Sequence, residues 1–188
     1  MVWLGAFDEL DKIKKPSRIF VGSTFELFHD IVKEALPWIL SQPKKYLQHT
    51  FIFLTKQPQN LIKWSPFPDN CWVGVSATDI QMADSGLCYL YDIDAKIKFL
   101  SIEPLLDWNH TLSISFPKHL DWLIIGQQTP VRKSTMPRSE WIKEIVMAAD
   151  KANIPVFIKN NMNSCEIADY PELLDKNGNL RQEFPKES

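Results

Sequence analysis

Cysteine is scarce in this 188-residue chain: Cys71, Cys88 and Cys165 are odd in number and far apart, in apolar stretches. That usage excludes a disulfide framework and points to a reducing, cytoplasmic compartment. No apolar run approaches the roughly 18 residues of a membrane span. The apolar start at residues 1–7 is cut off by Asp8 and Glu9, which is not a secretory signal pattern. Positive charge is not in excess either. Lys and Arg number 21 against 23 Asp and Glu, for a net charge of −2, so a broad footprint for nucleic acid is not supported. The basic cluster Lys12, Lys14, Lys15 and Arg18 is local and reads as a solvated helix end and loop. No G-x-G-x-x-G, G-x-x-x-x-G-K-[ST] or G-x-S-x-G motif occurs. The histidines His29, His49, His110 and His119 lack metal-ligand spacing, and no metal site is expected.

What is present suits one globular domain. Apolar residues make up 45% and charged residues 23%, and a chain of this length buries a core without staples. Six short runs rich in Ile, Val, Phe and Leu occupy residues 18–23, 50–55, 71–77, 97–102, 122–126 and 156–159. They are nearly continuous rather than alternating, as parallel strands covered on both faces are. Their spacing leaves room for crossovers. Helical periodicity fills residues 25–40, where Pro37 is expected to kink or split the helix. It recurs at 79–91, with Asp79 as cap, and at 139–152, with Ser139 as cap. Residues 58–64 offer about two turns, and 105–116 read as loop or short strand. The tail, 163–188, turns polar, with a possible hairpin on Asn177-Gly178 and a frayed end at 185–188.

Serial βα units imply a parallel sheet with right-handed crossovers. The expected fold is a partial TIM-like barrel of about six parallel βα units with a polar C-terminal tail. A doubly wound sheet is disfavoured because no glycine-rich turn follows the first strand. The chain is one α/β domain over 1–188: a lead-in at 1–17, the βα units at 18–162 and the tail at 163–188.

In such folds ligands bind at the carboxyl ends of strands. The residues there include Ser23, Thr55, Lys56, Ser76, Glu103, Gln127, Gln128, Lys159 and Asn160. Lys56, Glu103 and Lys159 carry charge at buried strand ends, where an unpaired charge is costly. Either they pair with one another, or at least one meets a ligand. In the second case Lys56 and Lys159 hold an anion, and Glu103 takes a hydroxyl, an amine or a proton. The amides of Gln127, Gln128 and Asn160 suit recognition, since they do not titrate. The seven tryptophans are read as packing.

The strand-end segments form an ordered set. Residues 19–23 read Ile-Phe-Val-Gly-Ser, 53–58 Phe-Leu-Thr-Lys-Gln-Pro and 71–76 Cys-Trp-Val-Gly-Val-Ser. Residues 99–106 read Phe-Leu-Ser-Ile-Glu-Pro-Leu-Leu, 121–126 Asp-Trp-Leu-Ile-Ile-Gly and 155–159 Pro-Val-Phe-Ile-Lys. Over about residues 15–185 the chain resembles the phage gene-product thirty-seven/sixty-eight family, uncharacterised proteins related to radical S-adenosylmethionine barrels. The Leu-Ser-Ile-Glu-Pro-Leu-Leu block is the most specific part. The resemblance implies a partial barrel with its site at the carboxyl face. In complete members it also implies S-adenosylmethionine and an iron–sulfur cluster held by three clustered cysteines in an N-terminal segment. This chain departs from the pattern at Gln57 and at Gln127-Gln128, and its three cysteines are not spaced to hold a cluster. No cofactor is therefore expected from this chain alone.

Three functional readings follow. The first is a truncated radical-SAM-like barrel that takes a small, anionic ligand at its rim. The second is a binding or assembly module that forms a homo-oligomer, or takes another partner, over an open strand edge. The third is a metal-independent lyase or hydrolase with Glu103 as base and Lys159 as anion anchor, the two candidate catalytic residues.

Overall fold

The computed structural model describes residues 4–108, 115–164, 167 and 170–186. Cys165 and His110, both read above from sequence, lie outside them, as does part of the 105–116 segment. Six strands form one sheet: β1 (Arg18–Val21), β2 (Thr50–Thr55), β3 (Cys71–Ala77), β4 (Ile97–Ile102), β5 (Trp122–Ile125) and β6 (Val156–Ile158). All neighbours are parallel and the spatial order is the chain order. A sheet built this way has no reversal point and curls in one sense, giving a half-barrel rather than a doubly wound sheet.

The described residues include three α-helices: α1 (Leu36–Lys45), α2 (Ile80–Asp92) and α3 (Ser139–Ala152). Asp79 caps α2 as expected, its Oδ1 accepting the Met82 N–H at 2.8 Å. Two expectations are corrected. The helix expected over 25–40 begins only at Leu36, so Pro37 sits in its first turn, where a missing N–H costs nothing. Pro43 is the proline inside the helix. The apparent periodicity before Leu36 comes from Leu27, Phe28 and Val32, which are buried from a loop and a 3-10 turn. In α3, Arg138 is the extended residue preceding the helix and Ser139 is the first helical one, without a capping hydrogen bond from a side chain. Residues Pro58–Trp64 form a 3-10 helix.

The sheet has two apolar faces, as the unbroken runs require. Phe51, Phe53, Val73, Val75, Leu100, Ile102, Leu123, Ile125, Val156 and Ile158 belong to the large core shared with the helices. The alternate residues line the lumen. Ile52, Trp72, Ile97, Phe99 and Trp122 form a second cluster there, with Leu54, Ile124 and Phe157 packed against it. Gly74 allows this packing: a Cβ there would lie 2.3 Å from the Phe99 ring, which occupies that space.

The tail does more than fray. It turns at Asn177-Gly178, with Leu174 and Leu180 bridged antiparallel, as the hairpin reading expects. It then runs antiparallel along β6. Phe157 bridges Gln182, the Ile158 N–H donates to Arg181 O at 2.7 Å, and the Glu183 N–H donates to Val156 O at 2.9 Å. Thus the β6 edge is covered by the chain itself, whereas among the described residues β1 ends the sheet with β2 as its one strand neighbour. Phe184 then packs into the lumen, tilted against Trp122 and edge-on to Phe157. The Arg18 guanidinium of β1 lies 3.8 Å from the Phe184 ring centroid and 5.6 Å from that of Trp72.

No helix among the described residues is long and apolar enough to cross a membrane.

Candidate functional site

At the opposite, carboxyl end the lumen changes chemistry. The highest paired row that faces the lumen is Ser76, Ser101, Ile124 and Phe157. Both serines are buried, and the Ser76 hydroxyl donates to the Glu103 carbonyl at 3.3 Å. The ladder continues one step further through Gly126 N–H to Ile102 O at 3.1 Å and Lys159 N–H to Ile125 O at 2.9 Å. The next row is therefore Glu103, Gly126 and Lys159.

Glu103 and Lys159 meet across that row. Lys159 Nζ donates to Glu103 Oε1 at 2.6 Å, with the side chains 42% and 27% exposed for Lys159 and Glu103 respectively. The pair passes directly over Gly126. A Cβ at that position would come within 3.0 Å of Glu103 Cδ, Glu103 Oε1 and Lys159 Cδ. Glycine is what permits two side chains from strands on either side of β5 to touch over its end.

The other sequence candidates divide by location. Thr55 is 1% exposed, and its hydroxyl donates to Glu26 Oε1. Glu26 also accepts from Phe28 N–H at 3.2 Å and, through Oε2, from Lys56 N–H at 2.8 Å. This carboxylate ties the loop after β1 to the exit of β2. Its role was invisible in the sequence because its three donors come from two separate segments. The Lys56 side chain is exposed and makes no ion pair or side-chain hydrogen bond among the described residues. It does not join Glu103 and Lys159. Gln127 is 2% exposed. Its Nε2 donates to the Asn161 carbonyl, and Asn161 Nδ2 donates back to Gln127 O at 2.8 Å, a reciprocal clamp between the exits of β5 and β6. Asn160 is exposed and accepts from Gln182 Nε2 of the tail at 2.7 Å. Gln128 is half-buried and Ser23 exposed.

Of the nine candidates, then, Glu103, Lys159 and Ser76 form one connected group. Gln127 and Asn160 brace the strand ends beside it. Thr55 serves the loop after β1.

The two described thiols, Cys71 and Cys88, are not placed to share an iron–sulfur cluster. Cys71 starts β3 at the amino end, and burial, with the nearby Asp69 carboxylate, pushes its thiol up to about 12, far from the thiolate a ligand needs. Cys88 is exposed on α2. Among the described residues no group of three or more His, Cys, Asp and Glu is placed to hold a metal ion. The described histidines act locally: Nδ1 of His49 accepts from Ser17 N–H at 3.2 Å and Nδ1 of His29 from Ile31 N–H at 3.2 Å.

A groove of about 600 Å³ lies at the amino face, between the tail and the end of α3. Arg181 dominates it. It donates twice to Asp150, at 2.7 and 3.0 Å, twice to Glu183, at 3.0 and 3.1 Å, and once to Glu172 O at 3.2 Å. All five N–H groups of the guanidinium are used, so this groove has no cationic donor left from Arg181 for a ligand. Its chemistry is that of a fastening.

A family model described as "Protein of unknown function (DUF5131)" matches residues 5–179. No curated protein matches the chain, and no solved structure does. A match over nearly the whole length, on a curled sheet of six parallel strands, assigns the family: the chain belongs to the DUF5131 family of proteins of unknown function.

Proposed function

We propose that this protein is a small-molecule-binding half-barrel of the radical-SAM-like class, with its ligand site on the carboxyl rim around Glu103 and Lys159 and no cluster of its own. The observation that carries the reading is the Glu103–Lys159 contact of 2.6 Å over Gly126. It sets a polar, partly open pair above the small residues Ser76 and Ser101 and, deeper, an apolar lumen, on the face where parallel α/β sheets take ligands. The anion expected from sequence rested on Lys56 and Lys159 acting together. Lys56 makes no ion pair with Glu103 among the described residues, and the pair itself presents one positive and one negative group.

The test is a ¹H–¹⁵N NMR titration with a panel of small charged metabolites: phosphate, carboxylic acids, amines and amino acids. Perturbations should concentrate on Gly126, Lys159 and Ser101. Perturbations confined to Asn153, Phe184 and the rest of the amino-face groove would overturn the reading. Iron and sulfide analysis after anaerobic reconstitution addresses the cluster. Stoichiometric binding of both would contradict a cluster-free rim.

One observation favours a second reading, an assembly module. The β6 edge is sealed by the tail, while β1 has no strand on its outer side among the described residues and carries Phe20 at 47% exposure. An unpaired edge is a template for another chain. Light scattering would return a concentration-dependent dimer in this case, and a monomer at every concentration would reject it.

A further inference from the structure

We infer that the rim recognises a zwitterion of the α-amino-acid type, its ammonium on Glu103 and its carboxylate on Lys159. This rests on the carboxyl rim being the ligand site and adds the class of ligand to it.

The argument begins with unused valence. Lys159 Nζ has three donors and spends one, on Glu103 Oε1. Glu103 Oε2 makes no hydrogen bond among the described residues, and both side chains keep part of their surface in solvent. The pair therefore has room for one acceptor beside Nζ and one donor beside Oε2 without being broken.

Charge then selects among ligands. A simple anion seated on Lys159 faces the Glu103 carboxylate at close range, and a simple cation on Glu103 faces Lys159. In each case a like charge cancels much of the attraction. A zwitterion completes a ring of four alternating charges, and every neighbour in the ring is attractive. Geometry narrows the class further. Nζ and Oε1 touch at 2.6 Å, so the two ligand groups must also sit side by side. One carbon separates them in an α-amino acid. In an ω-amino acid they stand apart, and engaging both would require the pair to open. The missing Cβ of Gly126 and the small side chains of Ser76 and Ser101 keep the floor beneath the pair low.

The bracing of the site supports recognition of a fixed geometry. The Gln127–Asn161 clamp holds the β5 and β6 exits together, and Gln182 from the tail fastens Asn160, the residue after Lys159. Specific recognition by a small charged constellation needs its members held in register by their neighbours.

The experiment uses probes without side chains, so that pocket shape does not decide the outcome: glycine, acetate and methylamine, titrated into the ¹⁵N-labelled full-length protein and read at the Gly126 and Lys159 amides. Glycine should shift these amides saturably, and acetate and methylamine should bind at least about tenfold more weakly, one power of ten being the scale of one good polar contact. In Glu103→Gln the preference should collapse, with acetate binding as well as glycine. In Lys159→Met methylamine should do so. The dispersed spectrum of each variant reports that it remains folded. Acetate binding to the wild type as tightly as glycine would overturn the zwitterion and leave the rim as the site. Silence of the rim to all three probes would overturn the zwitterion, and silence also to the wider metabolite panel would overturn the rim itself.

Discussion

The two ends of the lumen are built from opposite materials. At the amino end Trp72, Phe99, Trp122 and Phe184 pack in edge-on and tilted pairs, with ring centroids 5.3–5.5 Å apart, and the Arg18 guanidinium lies over Trp72 and Phe184. Trp122 N–H finds Glu183 O at 2.8 Å, so the largest ring in the base is also satisfied. At the carboxyl end the lumen is lined by Ser76, Ser101 and Gly126 beneath a partly exposed ion pair. Aromatic packing and a saturated guanidinium are ways of holding a structure together. Small residues under an ion pair with spare valence are ways of leaving room. The contrast sets a tightly packed base against the rim proposed to bind, and it can be broken at several points.

The largest effect should come from the base. Trp122→Ala removes a ring in contact with four others and should cost about 3–5 kcal/mol, the usual loss for a buried aromatic, measured by urea denaturation. Next is the fastening of the tail. Arg181 is 13% exposed, but its partners Asp150 and Glu183 are 45% and 42% exposed. Arg181→Met should therefore cost about 2 kcal/mol, between the loss for a buried pair and that for an exposed one.

A smaller effect, of opposite sign, is expected at Asp121. Burial raises its carboxyl above the usual range, against opposing contributions from the Lys98 N–H, the Lys98 charge and His119. A carboxyl raised by folding favours the folded state fully below the ordinary value of 3.8 and loses that contribution as pH rises through the raised value. Asp121→Asn should thus be more stable than wild type at pH 8 and lose that advantage near pH 3. Equal stability differences at both pH values would show that Asp121 is not desolvated.

The strand framework was legible in the sequence because parallel strands buried on both faces leave continuous apolar runs. Residues 50–55, 71–77 and 97–102 match their strands at both ends. The runs ending at Ser23, Gly126 and Lys159 overshoot by one or two residues, since those positions lie beyond the last strand pair. Periodicity misled where burial came without helix, at Leu27, Phe28 and Val32. Glu103 and Lys159 were found from their place after strands. Lys56 was grouped with them by the same logic but makes no ion pair with Glu103 among the described residues, since strand-end position carries no information on distance around the curl. The bracing role of Glu26, which follows the first strand, and that of Phe184 were out of reach: one is satisfied by donors from two segments, and the other acts through a tail whose pairing with β6 leaves no short-range signature.

At the rim the expected stability effects shrink. Gly126→Ala inserts a Cβ 3.0 Å from the tips of two flexible side chains that can turn aside. It should cost less than about 1 kcal/mol, below the usual range for overpacking a core, while displacing the ion pair that forms the proposed site.

The most direct measurement is the stability of the Glu103→Gln/Lys159→Met double variant beside Trp122→Ala. An ion pair exposed to this degree should contribute no more than about 1 kcal/mol, so the double variant should unfold close to the wild type while its Gly126 amide no longer responds to glycine. A loss as large as that of Trp122→Ala, with the glycine response kept in whatever folded protein remains, would make the pair part of the framework and contradict a binding rim.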